Sequence, residues 1–345
     1  MTRPDDILDY EFDATPDLGA LQRVHDNITW LRMPMPFALD HINLWLVRDT
    51  DGWATVDTGL RTKESVAVWH NVNGELLDNR GLTRVIVTHM HPDHVGMAGW
   101  LCEQYGVHLW MTRSEYFVCR VLSADTGKSA PTDGVLFYRA AGLADEHIER
   151  YKRMFGMFGK AVHTLPDSYI RMCDGDHIEM ADMTLEVVMG NGHSPEHACL
   201  FSAQENVLIS GDQVLPTISS NVSVWPTEPH ANPLQDWLDS CHRLRERLPE
   251  DVLVLPAHGR PFRGVAKRLT QLIDEHEEGL SKVLDQCAAP QRAADLFPSL
   301  FDSTITDSNR IMATGETMAN INYLLARGEL GVDSQTEGVT WYRRT

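Results

Sequence analysis

The sequence has no long hydrophobic run: none of its apolar stretches approaches the roughly 20 residues that a membrane-spanning helix needs. Residues 1–6 also lack the charged and apolar pattern of a secretory signal peptide. We therefore expect no membrane association and, by default, a cytoplasmic location. With 345 residues, the chain is long enough for one large domain and a smaller one.

Paired cysteines and an excess of basic residues are also missing. The six cysteines are scattered, without a Cys-x-x-Cys pair, so we expect reduced thiols rather than a disulfide framework. Lysine and arginine total 30 against 49 aspartate and glutamate residues, which gives a formal net charge of -19. Such an acidic chain argues against tight nonspecific binding to a nucleic-acid backbone.

What the sequence does contain is a dense group of histidines in residues 88–94, which read Thr-His-Met-His-Pro-Asp-His and follow an apolar run. A solvated turn would explain one isolated pair of histidines, but each imidazole brings two nitrogens that need partners. If a strand ends here and a helix begins, His89 and His91 project the same way while Asp93 and His94 face differently. The segment is typical of two adjacent metal sites, with donors suited to zinc, iron or manganese.

Three further candidate donors follow predicted strands later in the chain. They are His193 after residues 185–189, Asp212 after residues 207–209 and His258 after residues 252–255. Because a sheet presents the residues just past its strand ends at one rim, we expect these side chains to gather there.

These motifs resemble those of the metallo-β-lactamase-fold hydrolases, a family that includes glyoxalase II, zinc β-lactamases, RNase Z-type nucleases and several thioesterases. The resemblance covers about residues 25–265. It implies two metal sites bridged by Asp212, one held by His89, His91 and His193 and the other by Asp93, His94 and His258. The zinc β-lactamases lack this bridging aspartate, so the set is more similar to that of glyoxalase II.

The resemblance also implies the fold class, α/β (α+β), as a four-layered αββα sandwich of two mixed sheets with helices outside. We assign residues 1–265 to this catalytic domain, with residues 1–24 as an outer arm and an insert at about residues 111–166. Residues 266–345 resemble the small helical, winged-helix-like module of some relatives. Because the module has few basic residues, we expect it to pack on the catalytic domain or form a homodimer rather than bind nucleic acid.

Several residues near the ligands are candidates for supporting roles. Asp57 ends a predicted hairpin, where an aspartate in this family commonly lies beneath the metal ligands. Glu196 stands where the family often has glycine, so it could bond a ligand imidazole or narrow the pocket. His197 is expected to support the site rather than bind metal. His276, on a long charged helix, is expected to face solvent.

The insert is rich in aromatic residues and methionine, and it allows two interpretations. Most of these side chains are expected to pack the insert on itself. Residues 154–159, Met-Phe-Gly-Met-Phe-Gly, could instead form a mobile lid or a wall for an acyl group, because methionine adapts to varied apolar partners. Residues 213–233 form a predicted loop near the mouth of the site.

The chemistry implied by the resemblance is hydrolysis with two divalent metal ions, zinc in the first place. A hydroxide held between them becomes available because metal binding lowers the pKa of water from about 15.7 to about 7. Asp93 is the candidate catalytic residue that orients it. We favour a small-molecule ester or thioester, of the acyl-CoA or glutathione type. A phosphodiesterase or nuclease, a lactonase, a β-lactamase-like enzyme and a regulatory ligand-binding protein with a residual hydrolase site are the alternatives.

Overall fold

The computed structural model describes residues 8–77 and 81–345. Its first sheet consists of β2 (Leu21–His25), β3 (Ile28–Pro34), β4 (His41–Asp49), β5 (Gly52–Val56), β6 (Leu82–Ile86), β7 (Leu109–Thr112) and β8 (Ile170–Met172), in that order. The second, in spatial order, consists of β1 (Asp9–Tyr10), β14 (Phe262–Arg263), β13 (Leu253–Pro256), β12 (Val207–Gly211), β11 (His197–Ser202), β10 (Thr184–Gly190) and β9 (His177–Glu179). Both sheets mix parallel and antiparallel pairs.

Helices cover the outer faces of the two sheets. Those before β8 are α1 (Lys63–Glu75), α2 (Pro92–Val95), α3 (Ala98–Tyr105), α4 (Arg113–Ala124), α5 (Thr132–Ala140) and α6 (Asp145–Met154). Those after β12 are α7 (Pro233–Arg247), α8 (Val265–Gln286), α9 (Phe297–Leu300) and α10 (Arg310–Ala326). Short 3-10 turns occur at Phe158–Lys160 and Ala293–Leu296.

Strand β4 shows why the sheets stack. Its residues 42–47 are apolar except for Asn43 and are all buried, a pattern typical of a strand that is buried on both faces. Trp45 and Val47 belong to the core between the two sheets, whereas Leu44 and Leu46 belong to the core between the first sheet and its helices. The four-layered αββα arrangement predicted from the sequence is therefore confirmed.

The prediction that residues 1–24 form only an outer arm is wrong in part. Residues 1–7 lie outside the described part of the chain, but β1 pairs with β14 and β2 pairs with β3. These short edge strands carry too few apolar residues to show a period of two, so pairing with a neighbour decides their conformation.

The insert is packed in part, because Phe117, Met154 and Met157 remain exposed. As predicted, aromatic side chains form much of its interior, and three of them are fully or almost fully buried: Tyr116, Tyr138 and Tyr151. Two glycines of residues 154–159 lie in close contact with the segment that follows α4. A Cβ on Gly156 would lie 2.4 Å from the Asp125 carbonyl oxygen, and one on Gly159 would lie 2.2 Å from the Thr126 hydroxyl. Both glycines permit close packing against the end of α4, and a lid role for residues 154–158 stays a prediction.

The C-terminal segment forms helices followed by a hairpin of β15 (Leu330–Thr336) and β16 (Val339–Arg344), as predicted. Leu324 of α10 and Tyr342 of β16 belong to the same core as Trp237 of α7, on the outer face of the second sheet. The module therefore packs against the catalytic domain. Leu269 and Val283 of α8 also join this core, so α8 connects the two parts.

The expectation that His276 faces solvent is wrong. Its ring lies edge-on to Trp237, with the ring centroids 6.3 Å apart, and its Nε2 atom is buried. Burial lowers the pKa of His276 to about 4. The imidazole is therefore neutral at neutral pH and contributes to the contact between α7 and α8.

The cysteines are all free thiols, as predicted, and five of the six are buried. Burial raises the pKa of Cys102 to about 12, so this thiol stays protonated and unreactive. Within the described ranges, no helix combines the length and hydrophobicity that crossing a bilayer requires.

Candidate metal centre

The seven predicted metal ligands meet in two groups of facing donor atoms, and within each group these atoms lie within 4.8 Å of one another. The first group consists of His89, His91, His193 and Asp212, and the second consists of Asp93, His94 and His258. The six other residues are divided as the family resemblance implies, and Asp212, which the resemblance shares between both sites, is grouped with the first.

Strand ends bring these residues together. Residues 89–94 follow β6 of the first sheet, while His193, Asp212 and His258 follow β10, β12 and β13 of the second. Strands β10, β12 and β13 run in the same direction, because β10 and β12 are both antiparallel to β11 and β13 is parallel to β12. Their carboxyl ends therefore lie at one edge, which faces the histidine segment of the first sheet.

Asp212 lies between the two groups. Its Oδ1 atom is 3.4 Å from Nε2 of His258, and its Oδ2 atom is 3.4 Å from Nε2 of both His94 and His193. Oδ1 thus faces a donor of the second group, and Oδ2 faces one donor of each group. Such a position suits a carboxylate that bridges two cations.

The contacts inside the groups fit bound cations. Nε2 of His94 and Oδ1 of Asp212 are buried and, among the described residues, have no hydrogen-bond partner. Nε2 of His89 and Nε2 of His193 face each other at 3.2 Å. Unpartnered buried donors and acceptors are costly, and a divalent cation between such nitrogen and carboxylate ligands removes that cost. The side chains present therefore fit two divalent ions.

Hydrogen bonds on the far side of three imidazoles turn their Nε2 atoms inward. The Nδ1 atom bonds to a carboxylate in His94 and to a backbone carbonyl in the other two, at 2.8 Å for His94 to Asp57, 2.7 Å for His193 to Asn221 and 2.9 Å for His258 to His41. Bonds of this kind fix the tautomer and the ring orientation of a metal ligand.

Burial and the neighbouring charges set the protonation of the ligand histidines. Burial lowers the pKa of His91 to about 3, and burial together with the adjacent imidazoles lowers that of His89 well below its usual value. Burial opposes protonation of His94 too, but Asp212 and Asp57 raise the pKa of His94 well above its usual range. The neutral imidazoles of His89 and His91 can offer a nitrogen lone pair to a metal ion. At His94, the carboxylates that favour a proton would equally favour a bound cation.

Asp57 lies beneath the ligands. Its Oδ1 atom accepts a hydrogen bond from the backbone N–H of Thr88 at 2.8 Å, and its Oδ2 atom accepts one from His94. Asp57 has a φ of 63°, in the left-handed region that aspartate tolerates better than most residues. This backbone turn directs the carboxylate of Asp57 under the histidine motif.

Glu196 and His197 also lie next to the site. The carboxylate of Glu196 accepts a bond from the backbone N–H of Ser114 at 2.7 Å, in the first turn of α4, rather than from a ligand imidazole as the sequence suggested. Nε2 of His197 accepts the backbone N–H of Asp212 at 3.1 Å. His197 therefore lies behind Asp212 and supports its backbone. It belongs to neither donor group.

Glu115 is a residue that the sequence analysis missed. It is fully buried on α4, and its two carboxylate oxygens accept the backbone N–H groups of Met90 at 2.9 Å and Glu196 at 2.8 Å. Together with the bond from Ser114 to Glu196, these contacts join the insert to two of the three loops that hold the first metal group, those after β6 and β10. We call this set of hydrogen bonds the Glu115–Glu196 clamp.

Metal content is the first testable consequence of this geometry. Protein purified without chelator should carry close to two transition-metal ions per chain, because both groups are complete. His258→Ala removes a donor of the second group only, so one ion should be lost preferentially. Elemental analysis measures both. Absence of metal in wild-type protein even after incubation with zinc or manganese would contradict the assignment of the two donor groups as metal sites.

Comparisons with known proteins agree with this architecture. The sequence profile of the metallo-beta-lactamase superfamily matches residues 38–258, and that of the metallo-beta-lactamase-like C-terminal domain matches residues 280–345. The crystal structure of a beta-lactamase domain protein from Burkholderia ambifaria superimposes with a TM-score of 0.91 at 40% identity and covers 99% of both chains.

Two other relatives are more distant. A metallo-beta-lactamase family protein from Thermus thermophilus has a TM-score of 0.79 at 26% identity, over 94% of this chain and 100% of that one. Human acyl-coenzyme A thioesterase MBLAC2 is 26% identical over 266 residues, which cover 73% of this chain and 84% of that protein. Because the family profile spans most of the chain and includes every donor segment, the protein belongs to the metallo-beta-lactamase superfamily and is a metallo-hydrolase.

Proposed function

We propose that the protein hydrolyses acyl thioesters, with acyl-CoA as the substrate class and two divalent ions, zinc in the first place, as cofactors. The observation that carries the proposal is a set of apolar side chains exposed on two loops that adjoin residues of the metal centre. A polar site with such surroundings suits a substrate that has a reactive carbonyl and an apolar chain.

Two loops provide these side chains. Residues 35–40 directly precede His41, whose backbone carbonyl accepts the Nδ1–H of His258. In this loop the side chain of Phe37 is 62% exposed. Residues 213–232 follow Asp212 and expose Ile218 by 44% and Trp225 by 38%. Large apolar side chains that remain exposed beside a site are typical of a binding surface.

The chain's own groups have distinct parts in the reaction. Divalent ions in the two groups would lower the pKa of water to about 7 and polarise the substrate carbonyl. His91 and Asp93 are the partly exposed members of the two groups, so the substrate approaches from their side. Asp93 accepts a hydrogen bond from the water and so orients the water oxygen toward the acyl carbon. The water oxygen adds to that carbon, the carbon–sulfur bond breaks, and a carboxylic acid and a thiol are formed.

Two further facts support a thioester over a phosphodiester. The human relative is named as an acyl-coenzyme A thioesterase. The net charge of -19 disfavours long phosphate backbones. The choice of a CoA thioester over a glutathione thioester or a lactone rests on that name and on the apolar loops.

A substrate panel tests this proposal. We expect acyl-CoA to be hydrolysed with a higher kcat/KM than a glutathione thioester, a lactone, a β-lactam or bis-p-nitrophenyl phosphate. Trp225→Ala should lower kcat/KM for a long-chain acyl-CoA roughly tenfold more than for acetyl-CoA, since each buried methylene contributes about 0.8 kcal/mol. Val332→Ala, which truncates an exposed apolar side chain on the C-terminal hairpin, should leave the ratio unchanged.

The panel also has clear contrary outcomes. Preference for the phosphodiester would replace the thioesterase proposal with a nuclease function. Equal losses on long and short acyl chains in Trp225→Ala would remove the apolar loop from substrate binding.

A further inference from the structure

The C-terminal module reaches the metal centre through α10. At Gly315 this helix approaches residues 220–224 so closely that a Cβ would lie 2.8 Å from the Ser223 side chain and 2.9 Å from the Val224 carbonyl oxygen. The backbone N–H of Val224 also donates to the carbonyl of Gly315 at 3.0 Å. Glycine inside a helix costs about 1 kcal/mol relative to alanine. The close contact between the two segments explains its presence here.

Glu316, the next residue, extends this contact to a metal ligand. Its Oε2 atom accepts a hydrogen bond from the side-chain amide of Asn221 at 2.8 Å. The amide oxygen of Asn221 in turn accepts from the hydroxyl of Ser223 at 2.5 Å. The backbone carbonyl of the same Asn221 accepts the Nδ1–H of His193 at 2.7 Å. Both ends of the Asn221 side chain are therefore held, and so is the peptide that orients His193.

We propose that Glu316 is a positioning residue for His193, which acts through Asn221 to keep the proton on Nδ1 and the lone pair of Nε2 directed at the first metal group. The proposal rests on the metal centre of the proposed function, and it assigns the C-terminal module a part in building that centre.

The alternative is that Glu316 only attaches α10 to the loop. Burial raises the pKa of Glu316 to about 7, although the amide of Asn221 opposes the shift, so the carboxyl group is held in this position at a cost. Asn322 makes a purely attaching contact on the same helix. Its amide donates to the carbonyls of Pro229 at 3.0 Å and Ala231 at 2.8 Å, in the same loop but away from the Asn221 peptide. Asn322 is therefore a matched control.

The test measures zinc affinity by competition with a chelator in Glu316→Ala, Glu316→Gln and Asn322→Ala. Loss of an outer hydrogen bond to a ligand histidine lowers metal affinity about 10- to 100-fold, so Glu316→Ala should weaken the first site roughly tenfold. Glu316→Gln keeps an oxygen that accepts from Asn221 and should stay within about threefold of wild type. Asn322→Ala should also stay near wild type, even if it lowers thermal stability.

A second measurement reads the tautomer directly. In metal-free protein labelled with 15N-histidine, long-range proton–nitrogen correlation shows which ring nitrogen of His193 carries the proton. We expect only the Nδ1–H form in the wild type and in Glu316→Gln, and a mixture in Glu316→Ala. If Glu316→Ala does not fold, Asn221→Ala removes the same bond from the other side and should give the same result.

Three outcomes would overturn the proposal. Wild-type zinc affinity and tautomer in Glu316→Ala or Asn221→Ala would leave Glu316 with an attaching role only. An equal loss in Asn322→Ala would point to a general effect of loosening the loop. A loss in Glu316→Gln as large as in Glu316→Ala would contradict the hydrogen-bond mechanism. Wild-type protein that binds zinc but fails on thioesters would instead refute the substrate proposal and leave this one standing.

Discussion

Asp212→Asn is expected to fold, to lose metal from one group before the other, and to lower the hydrolytic rate about 100-fold or more. Asparagine keeps the shape of the side chain but replaces one oxygen by an amide NH2, which is a poor metal ligand. It also removes the negative charge between two cations that are expected about 3.5–4 Å apart. The repulsion between the ions then rises. The first group, with His193, and the second group, with His258, also lose the ligand that they share.

Asp176→Asn is the matched control for this variant. Asp176 is exposed in a turn, where its carboxylate accepts the backbone N–H of Cys173 at 2.7 Å. The amide oxygen of asparagine can accept the same bond, so metal content and rate should not change. Elemental analysis and kcat/KM on the best substrate of the panel measure both variants. Unchanged activity in Asp212→Asn would show that the bridge is not needed and that the two-metal mechanism is wrong.

Glu115→Ala is expected to have the second largest effect, because it opens the Glu115–Glu196 clamp. Truncation leaves the buried N–H groups of Met90 and Glu196 without their acceptor. At about 1–3 kcal/mol for each unsatisfied group, the free energy of unfolding should fall by about 2–6 kcal/mol. Because both loops hold donors of the first group, zinc should also bind more weakly there.

Urea unfolding of metal-free and zinc-loaded protein measures this effect. Glu103→Ala, which removes an exposed glutamate from α3, is the control and should change the free energy of unfolding by less than about 0.5 kcal/mol. A wild-type urea midpoint for Glu115→Ala would contradict the role of the clamp. A stability loss with unchanged zinc affinity would confine Glu115 to holding the insert.

The positions of the metal donors could be predicted because each carries a local signal. His193, Asp212 and His258 each come within three residues of the end of an apolar strand, and the strand pattern itself shows where they must lie. The stacked sheets were implied by the family resemblance of the metal motifs, and the mostly apolar residues 42–47 of β4 agree with burial on both faces.

The supporting residues could not be predicted, because their partners are remote in the sequence. Glu115 resembles any acidic residue in the first turn of a helix, and only the fold brings it to Met90 and Glu196. Glu316 contacts a loop that precedes it by 95 residues. Burial of His276 depends on Trp237, which belongs to another helix. Patterns of a single segment contain no information about these contacts.

The origin of the donors in both sheets makes the centre a cross-link as well as a catalyst. Residues 89–94 follow a strand of the first sheet and the remaining donors follow strands of the second, so bound metal would add a cross-link to the apolar core and the hydrogen bonds that already join the two sheets. By mass-action linkage, a ligand at a thousand times its dissociation constant adds about 4 kcal/mol to the stability of the folded state. Metal starvation would therefore deplete the folded protein itself, and the cellular amount of the enzyme would follow the metal supply.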